Sequence, residues 1–205
     1  MDSDALRAAP KQRRGRERVE AILNAASEVI AEVGYEQATI GAIAARSNTA
    51  TGSLYQFFAN KEAILKALVD RYVARASAVF AAMEVESYPV MTLQDGIRAM
   101  LVPLKAFIRD NRDFQAIFSS STGSAIVAES IRAMDEGFLA RNDAALAAAR
   151  PNLDAHDRRK YGLVCMMIMK GLLGLAHPGG ELTLDEVFEE MEAVFLRYLL
   201  PVVGE

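Results

Sequence analysis

An all-α protein is predicted, and three observations predict it. Apolar residues recur at helical spacing almost everywhere, and no stretch alternates as a strand does. Ala, Leu, Glu and Arg abound, whereas the 205 residues include only 6 Pro and 13 Gly. A composition of 52% hydrophobic and 24% charged residues supports a packed core and argues against wholesale disorder. The length admits one large domain or two small ones.

Taken in order, the first helix is expected from about Arg16 to Val33, on the stripe Val19, Ile22, Leu23, Ala26, Ile30, Val33, with Gly34 as its C-cap. Thr39 is a natural N-cap for a short second helix facing inward with Ile40, Ile43 and Ala44. Ser47-Asn48-Thr49 interrupts it, and Asn48 can take the left-handed conformation of a sharp turn. A third short helix, about Ala50 to Phe57, buries Leu54 and Phe58. Asn60 caps a fourth, with Glu62 in its first turn and the stripe Ile64, Leu65, Leu68, Val69, Tyr72. Tyr88-Pro89 ends that zone. Thr92 opens a helix to Arg109 that carries Ile97, Met100, Leu101, Leu104 and Ile108 inward and is expected to kink at Pro103. A short helix over Phe114–Phe118 breaks at Ser119–Gly123. Long helices follow over Ser124–Ala149, Asp154–Ala176 and Leu184–Leu200. The run Gly162–Ala176, interrupted by Lys170, is too short to span a bilayer and reads as a buried helix.

Charge is uneven. The formal net is −4, yet between Arg7 and Arg18 six basic residues face one acid, Glu17. From Glu62 onward, 15 basic and 20 acidic residues leave a net of −5. A cationic end on an anionic body points to a polyanionic partner for that end alone, or to a solubilising tail. The lone Cys165 excludes an internal disulfide and fits a reducing cytoplasm, and no secretory h-region is visible. Only His156 and His177 are available for acid–base work. No HExxH, GxSxG, Walker A or GxGxxG pattern occurs, so neither catalysis nor a metal or cofactor is expected.

Three short helices with a tight turn between the second and third form a helix-turn-helix with a supporting first helix. The third would anchor its aromatic and aliphatic side in the core. It would offer Ala50, Thr51, Gly52, Ser53 and Gln56 to a major groove, where small residues allow close approach and hydroxyls and an amide reach phosphates and base edges. Gln56 is the residue best able to pair with adenine, or is an ordinary exposed helix residue. Tyr55 is either core or, through its hydroxyl, a contact to the DNA backbone.

The order Thr39, Ile43-Ala44, a turn, Gly52-Ser53-Leu54-Tyr55, Phe58, Asn60-Lys61-Glu62 resembles the DNA-binding domain of the TetR family of bacterial transcriptional regulators over residues 15–65. Where the family turn has Ala-Gly-Val, this chain has Ser47-Asn48-Thr49, and Thr51 stands where a basic or other polar residue is common. The resemblance implies an all-helical protein with an N-terminal part that binds double-stranded operator DNA and a C-terminal part that binds a small-molecule effector and forms a homodimer. The expected division is a basic arm (1–15), the helix-turn-helix domain (16–62) and the helical ligand-binding and dimerisation domain (63–205). Thr39 and Lys61 then face phosphates, and Arg46 suits the second helix's C-terminus or a phosphate. Arg13, Arg14, Arg16 and Arg18 track the duplex backbone or enter its minor groove.

In the second part, Met100, Phe107, Phe114, Phe118, Met134, Phe138 and Met166 are candidates for an apolar pocket. The polar Arg112, Asn142 and His156 have no place assigned by the sequence. The last two helices, through Tyr161, Val164, Ile168 and Leu172 and through Phe188, Met191, Phe195 and Tyr198, are the expected dimer interface. Two recognition helices about 34–36 Å apart would read consecutive major-groove faces of a palindromic site. The expected function is a ligand-responsive repressor. A helical protein that binds an acidic partner instead of DNA is the alternative.

Overall fold

A computed structural model describes residues 13–82, 91–111, 114, 125–176 and 181–204. The helices are α1 (Arg13–Gln37), α2 (Ile40–Arg46), α3 (Thr51–Phe57), α4 (Lys61–Ala81), α5 (Leu93–Asp110), α6 (Ala125–Ala149), α7 (Ala155–Leu173) and α8 (Leu184–Val203), and no strand occurs among the described residues. Of the short helix expected at Phe114–Phe118 only Phe114 is among the described residues, and the break after it and the Tyr88-Pro89 boundary lie outside them. The chain divides into two units, Met1–Ala74 with Arg112–Arg132, and Arg75–Asn111 with Ala133–Glu205. The expected boundary at residue 62 falls within the first of them.

In the first unit, α1 packs on α2 and α2 on α3. The α1 stripe is buried from Val19 to Ile30, whereas Val33 is exposed. Gly34, at φ 79° and ψ 159°, breaks the helical path without ending the element. That left-handed φ favours glycine. Thr39 accepts from the Ala42 amide at 3.1 Å and starts α2, and Asn60 accepts from the Ala63 amide at 2.8 Å and starts α4. Leu54, Phe58 and the whole α4 stripe from Ile64 to Tyr72 are buried, each large apolar side chain contributing about 1.5–3 kcal/mol. Polar ties lie within this core. The buried Arg71 donates to Glu20 at 3.2 Å and Asn24 at 2.7 Å, and Ser27 and Tyr72 share a hydrogen bond of 3.1 Å.

In the second unit, α8 packs against α5 and α7. Thr183 and Glu186 form a reciprocal capping box at the start of α8. Ion pairs Arg98–Glu192 and Lys105–Asp185, at 2.8 and 2.7 Å, join α5 to α8, and Arg158–Asp143, Arg159–Glu136 and Lys170–Asp135 join α7 to α6. Pro103 lies inside α5, an element that runs from Leu93 to Asp110.

Candidate nucleic-acid interface and ligand cavity

The turn between α2 and α3 is built by local chemistry and one distant arginine. Asn48 has φ 48°, the left-handed conformation that its short amide side chain tolerates. Thr49 is buried, and its amide donates to Ala44 O at 2.9 Å. Its hydroxyl donates to Ser47 O at 3.2 Å and accepts from Arg18 Nη1 at 3.3 Å, and the same Arg18 nitrogen donates to Asn48 O at 3.2 Å. The hydroxyl that departs from the usual apolar residue is therefore satisfied inside the turn, and Arg18 fastens α1 to it.

Beyond the turn, Leu54 points into the core, while Ala50, Thr51, Gly52 and Gln56 are exposed and Ser53 is half-buried. Tyr55 is 43% exposed, so its ring lies at the surface and not in the core. A Cβ built on Gly52 meets nothing within 4 Å, which leaves the outer face of α3 open.

The basic residues divide by their partners. Arg13, Arg14 and Arg16 are exposed on the first turn of α1, so the first two belong to a helix and not to an arm. Among the described residues, only Arg13 of these three has an acid beside it, Glu17 at 3.4 Å. Arg18 serves the turn instead. Arg46 is forked onto Glu32 at 2.8 Å and Glu28 at 3.1 Å. That fork holds the Glu32 carboxyl below the ordinary carboxylate range and raises the arginine. Lys61 donates to Tyr35 O at 2.9 Å and Glu36 O at 3.1 Å, and its ammonium lies 4.4 Å from the centre of the Tyr35 ring. A cation ill-placed at the start of α4 is thus well placed at the end of α1. The phosphate roles expected of Arg18, Arg46 and Lys61 compete with these contacts, whose partners lie 14 to 31 residues away. The hydroxyl of Thr39, which caps α2 by accepting, keeps its own hydrogen to donate.

A cavity of about 160 Å³ lies in the second unit, lined from α4 to α8 by Phe80, Ile97, Met100, Phe138, Phe195 and their neighbours. Of the expected pocket residues, Met100 and Phe138 line it. Phe107 lies two turns further along α5, Met134 a turn before Phe138 on α6, and Met166 is turned away beside the lining Cys165. Phe114 belongs to the first unit, where its ring meets Tyr72 edge-on at 5.6 Å. Phe118 and Arg112 lie outside the described residues. Asn142 is in the lining, its amide donating to Phe138 O at 2.9 Å, while His156 is exposed. The sequence reading missed Phe80, Arg141, Arg150 and Cys165. The row Phe138, Arg141, Asn142, Ala145, Ala149 at three- and four-residue spacing on α6 was the available signal.

Burial pushes the Cys165 thiol up to about 12, so at neutral pH it stays protonated and inert. A maleimide at pH 7.5 is expected to label native protein at least ~100-fold more slowly than protein unfolded in guanidinium, given the unperturbed thiol range. Equal rates would show that the thiol is not sealed in this wall.

The residues of the expected dimer face divide by their burial within the protomer. Phe188, Met191 and Phe195 are buried within the protomer, because that side of α8 packs on α5. Tyr161, Val164, Ile168, Leu172 and Tyr198 are half-buried, the Tyr161 and Tyr198 rings meeting edge-on at 5.7 Å. The large apolar side chains exposed on this pair of helices are Leu163, Met167 and Leu200, with Leu175 just beyond α7.

A three-helix head whose third helix turns small and hydroxylated residues outward defines a helix-turn-helix DNA-binding protein. The family model for bacterial regulatory proteins, tetR family, matches residues 22–68, and that for the tetracyclin repressor-like C-terminal domain matches residues 92–199. The chain belongs to the TetR family of DNA-binding transcriptional regulators. It is 36% identical over 86 residues to the A-factor receptor protein of Streptomyces griseus, which covers 42% of this chain and 29% of that one. It is 49% identical over 47 residues to the fatty acid metabolism regulator protein of Bacillus subtilis (strain 168), covering 23% and 24%. The matched segments span less than a third of these curated relatives. A TetR-family regulator from Syntrophomonas wolfei (TM-score 0.71, 19% identity, covering 92% of this chain and 97% of that one) shares the fold. So does the fatty acid degradation regulator FadR from Bacillus halodurans (0.69, 17%, 93% and 96%). No helix among the described residues is long and apolar enough to cross a membrane, and no cluster there is suited to a metal.

Proposed function

We propose that the protein is a cytoplasmic homodimeric repressor, released from a palindromic operator by a small apolar or amphipathic effector. The observation that carries this reading is the two-sidedness of α3: Leu54 and the adjoining Phe58 are held in the core, while Thr51, Gly52 and Gln56 face outward beyond a turn set by Asn48. Thr51, Ser53 and Gln56 are the base-edge and phosphate candidates. Arg13, Arg14 and Arg16, without a buried partner, are candidates for the flanking backbone. The dimer would form through the exposed Leu163, Met167 and Leu200 with the half-buried Val164 and Ile168. An effector in the second unit's cavity would bind one arrangement of the dimer better than the other and so shift its population away from the DNA-competent form.

The test is to select genomic fragments on purified protein and measure affinity for the recovered sequence by fluorescence anisotropy from 50 to 300 mM salt. The expected result is a site with two-fold symmetry and a steep linear fall of log K with log salt, reflecting several phosphates neutralised per half-site. Recovery of no common sequence, or a flat salt response, would count against the repressor reading.

A further inference from the structure

We propose that the ligand of the second unit's cavity is an organic anion, a carboxylate on a short apolar body, held at its charged end by Arg141. The proposal deepens the effector reading and rests on it for the cavity's role, though not for its chemistry.

The wall is apolar over most of its extent, with Phe80, Ile97, Met100, Phe138 and Phe195, yet it also carries two guanidinium groups, Arg141 and Arg150, and no carboxylate among the described residues. Three cations of α7 have acids: Arg158 has Asp143, Arg159 has Glu136 and Lys170 has Asp135. Arg141 and Arg150 have none among the described residues. Arg141 donates from Nη2 to Ala81 O at a long 3.3 Å, and its Nε–H is buried without an acceptor among the described residues. A buried donor of a charged group left unmatched is costly, and a bidentate carboxylate is the acceptor its planar fork fits best.

Arg150 donates to Ala149 O at 3.2 Å. Its Nη2 would lie 2.7 Å from a Cβ at Gly204, so the glycine that ends α8 leaves the space in which this second cation sits. Two positive groups in a wall whose described residues include no negative one set a field that favours an anion. A volume of about 160 Å³ compares with the roughly 150 Å³ in which a benzene-sized molecule is held, so the apolar body is one ring or a short chain. The guanidinium that would take the carboxylate also holds Ala81 O in the last turn of α4. Ligand binding would therefore compete for that contact.

Isothermal titration of the full chain with octanoate and with octanamide, at constant ionic strength, tests this without any variant. Octanoate is expected to bind at least ~10-fold more tightly, the weight of a charge-assisted hydrogen bond. Arg141→Gln should erase that preference, and Arg141→Lys should retain part of it. Equal or tighter binding of the amide, no binding of either, or an undiminished preference in Arg141→Gln would overturn the proposal. Operator affinity measured alongside separates the two readings. Octanoate that binds with the expected preference but leaves DNA binding untouched removes the effector role and keeps the anion site. Release of DNA by the amide does the opposite.

Discussion

Replacing Gly52 by Leu is expected to abolish operator binding in a protein that folds as well as the parent. Gly52 lies in the second position of α3, with ordinary helical φ and open space where its Cβ would be. The fold has no steric need for glycine there, and glycine within a helix costs about 0.5–1 kcal/mol relative to alanine. Thermal unfolding should therefore occur at or above the parent's midpoint. If α3 lies in a groove, the added isobutyl group separates it from the duplex. Contacts to base edges, each worth about 1–3 kcal/mol, would be lost in both half-sites at once, for a fall of ~100-fold or more in affinity. Fluorescence anisotropy on the selected operator reads the fall, and circular dichroism reads the fold. A folded Gly52→Leu protein with operator affinity within ~3-fold of the parent would place the DNA somewhere other than this face.

The sharpness of that prediction reflects how legible the head was. Thr39, Asn48 and Asn60 each act within three residues or on their own backbone, so the capping and turn signals that locate α2, α3 and α4 are local in the chain. The contacts of Arg18 with the turn and of Lys61 with the end of α1 span 25 to 31 residues, and no local pattern announces them. A cation that looked free for a phosphate was in fact answering a carbonyl brought near only by folding. The cavity was less legible for a related reason. Apolar periodicity says that α5, α6, α7 and α8 have inner faces, but not which turns of those faces leave a gap. Helix α7 is apolar most of the way round, so its period cannot separate residues packed inside the protomer from residues left for a partner. Phe188, Met191 and Phe195 illustrate the ambiguity on α8: large apolar side chains suit an interface and a core equally, and only their burial against α5 decides between the two.

That distinction yields the second large effect, a pair of substitutions that should separate folding from assembly. Phe195 is 0% exposed and lines the cavity wall. Phe195→Ala is expected to destabilise the protein by about 3–5 kcal/mol, the usual cost of removing a buried aromatic side chain. Met167, on the same pair of helices, is 62% exposed. Met167→Glu should therefore change the protomer's own stability by no more than about 0.5 kcal/mol. If Met167 is covered by its counterpart across a two-fold axis, however, the substitution places two carboxylates close together in an apolar seam. Unpaired buried charge is heavily penalised, and a variant that no longer dimerises should lose the dependence of its stability on protein concentration. Sedimentation velocity is expected to show monomer at micromolar concentration for Met167→Glu. Operator affinity should drop with it, because a single α3 reads only one half-site. Phe195→Ala, where it remains folded, should sediment as the parent does. A Met167→Glu protein that stays dimeric would move the interface off this face of α7, while a Phe195→Ala protein of undiminished stability would show that the cavity wall is not packed as described.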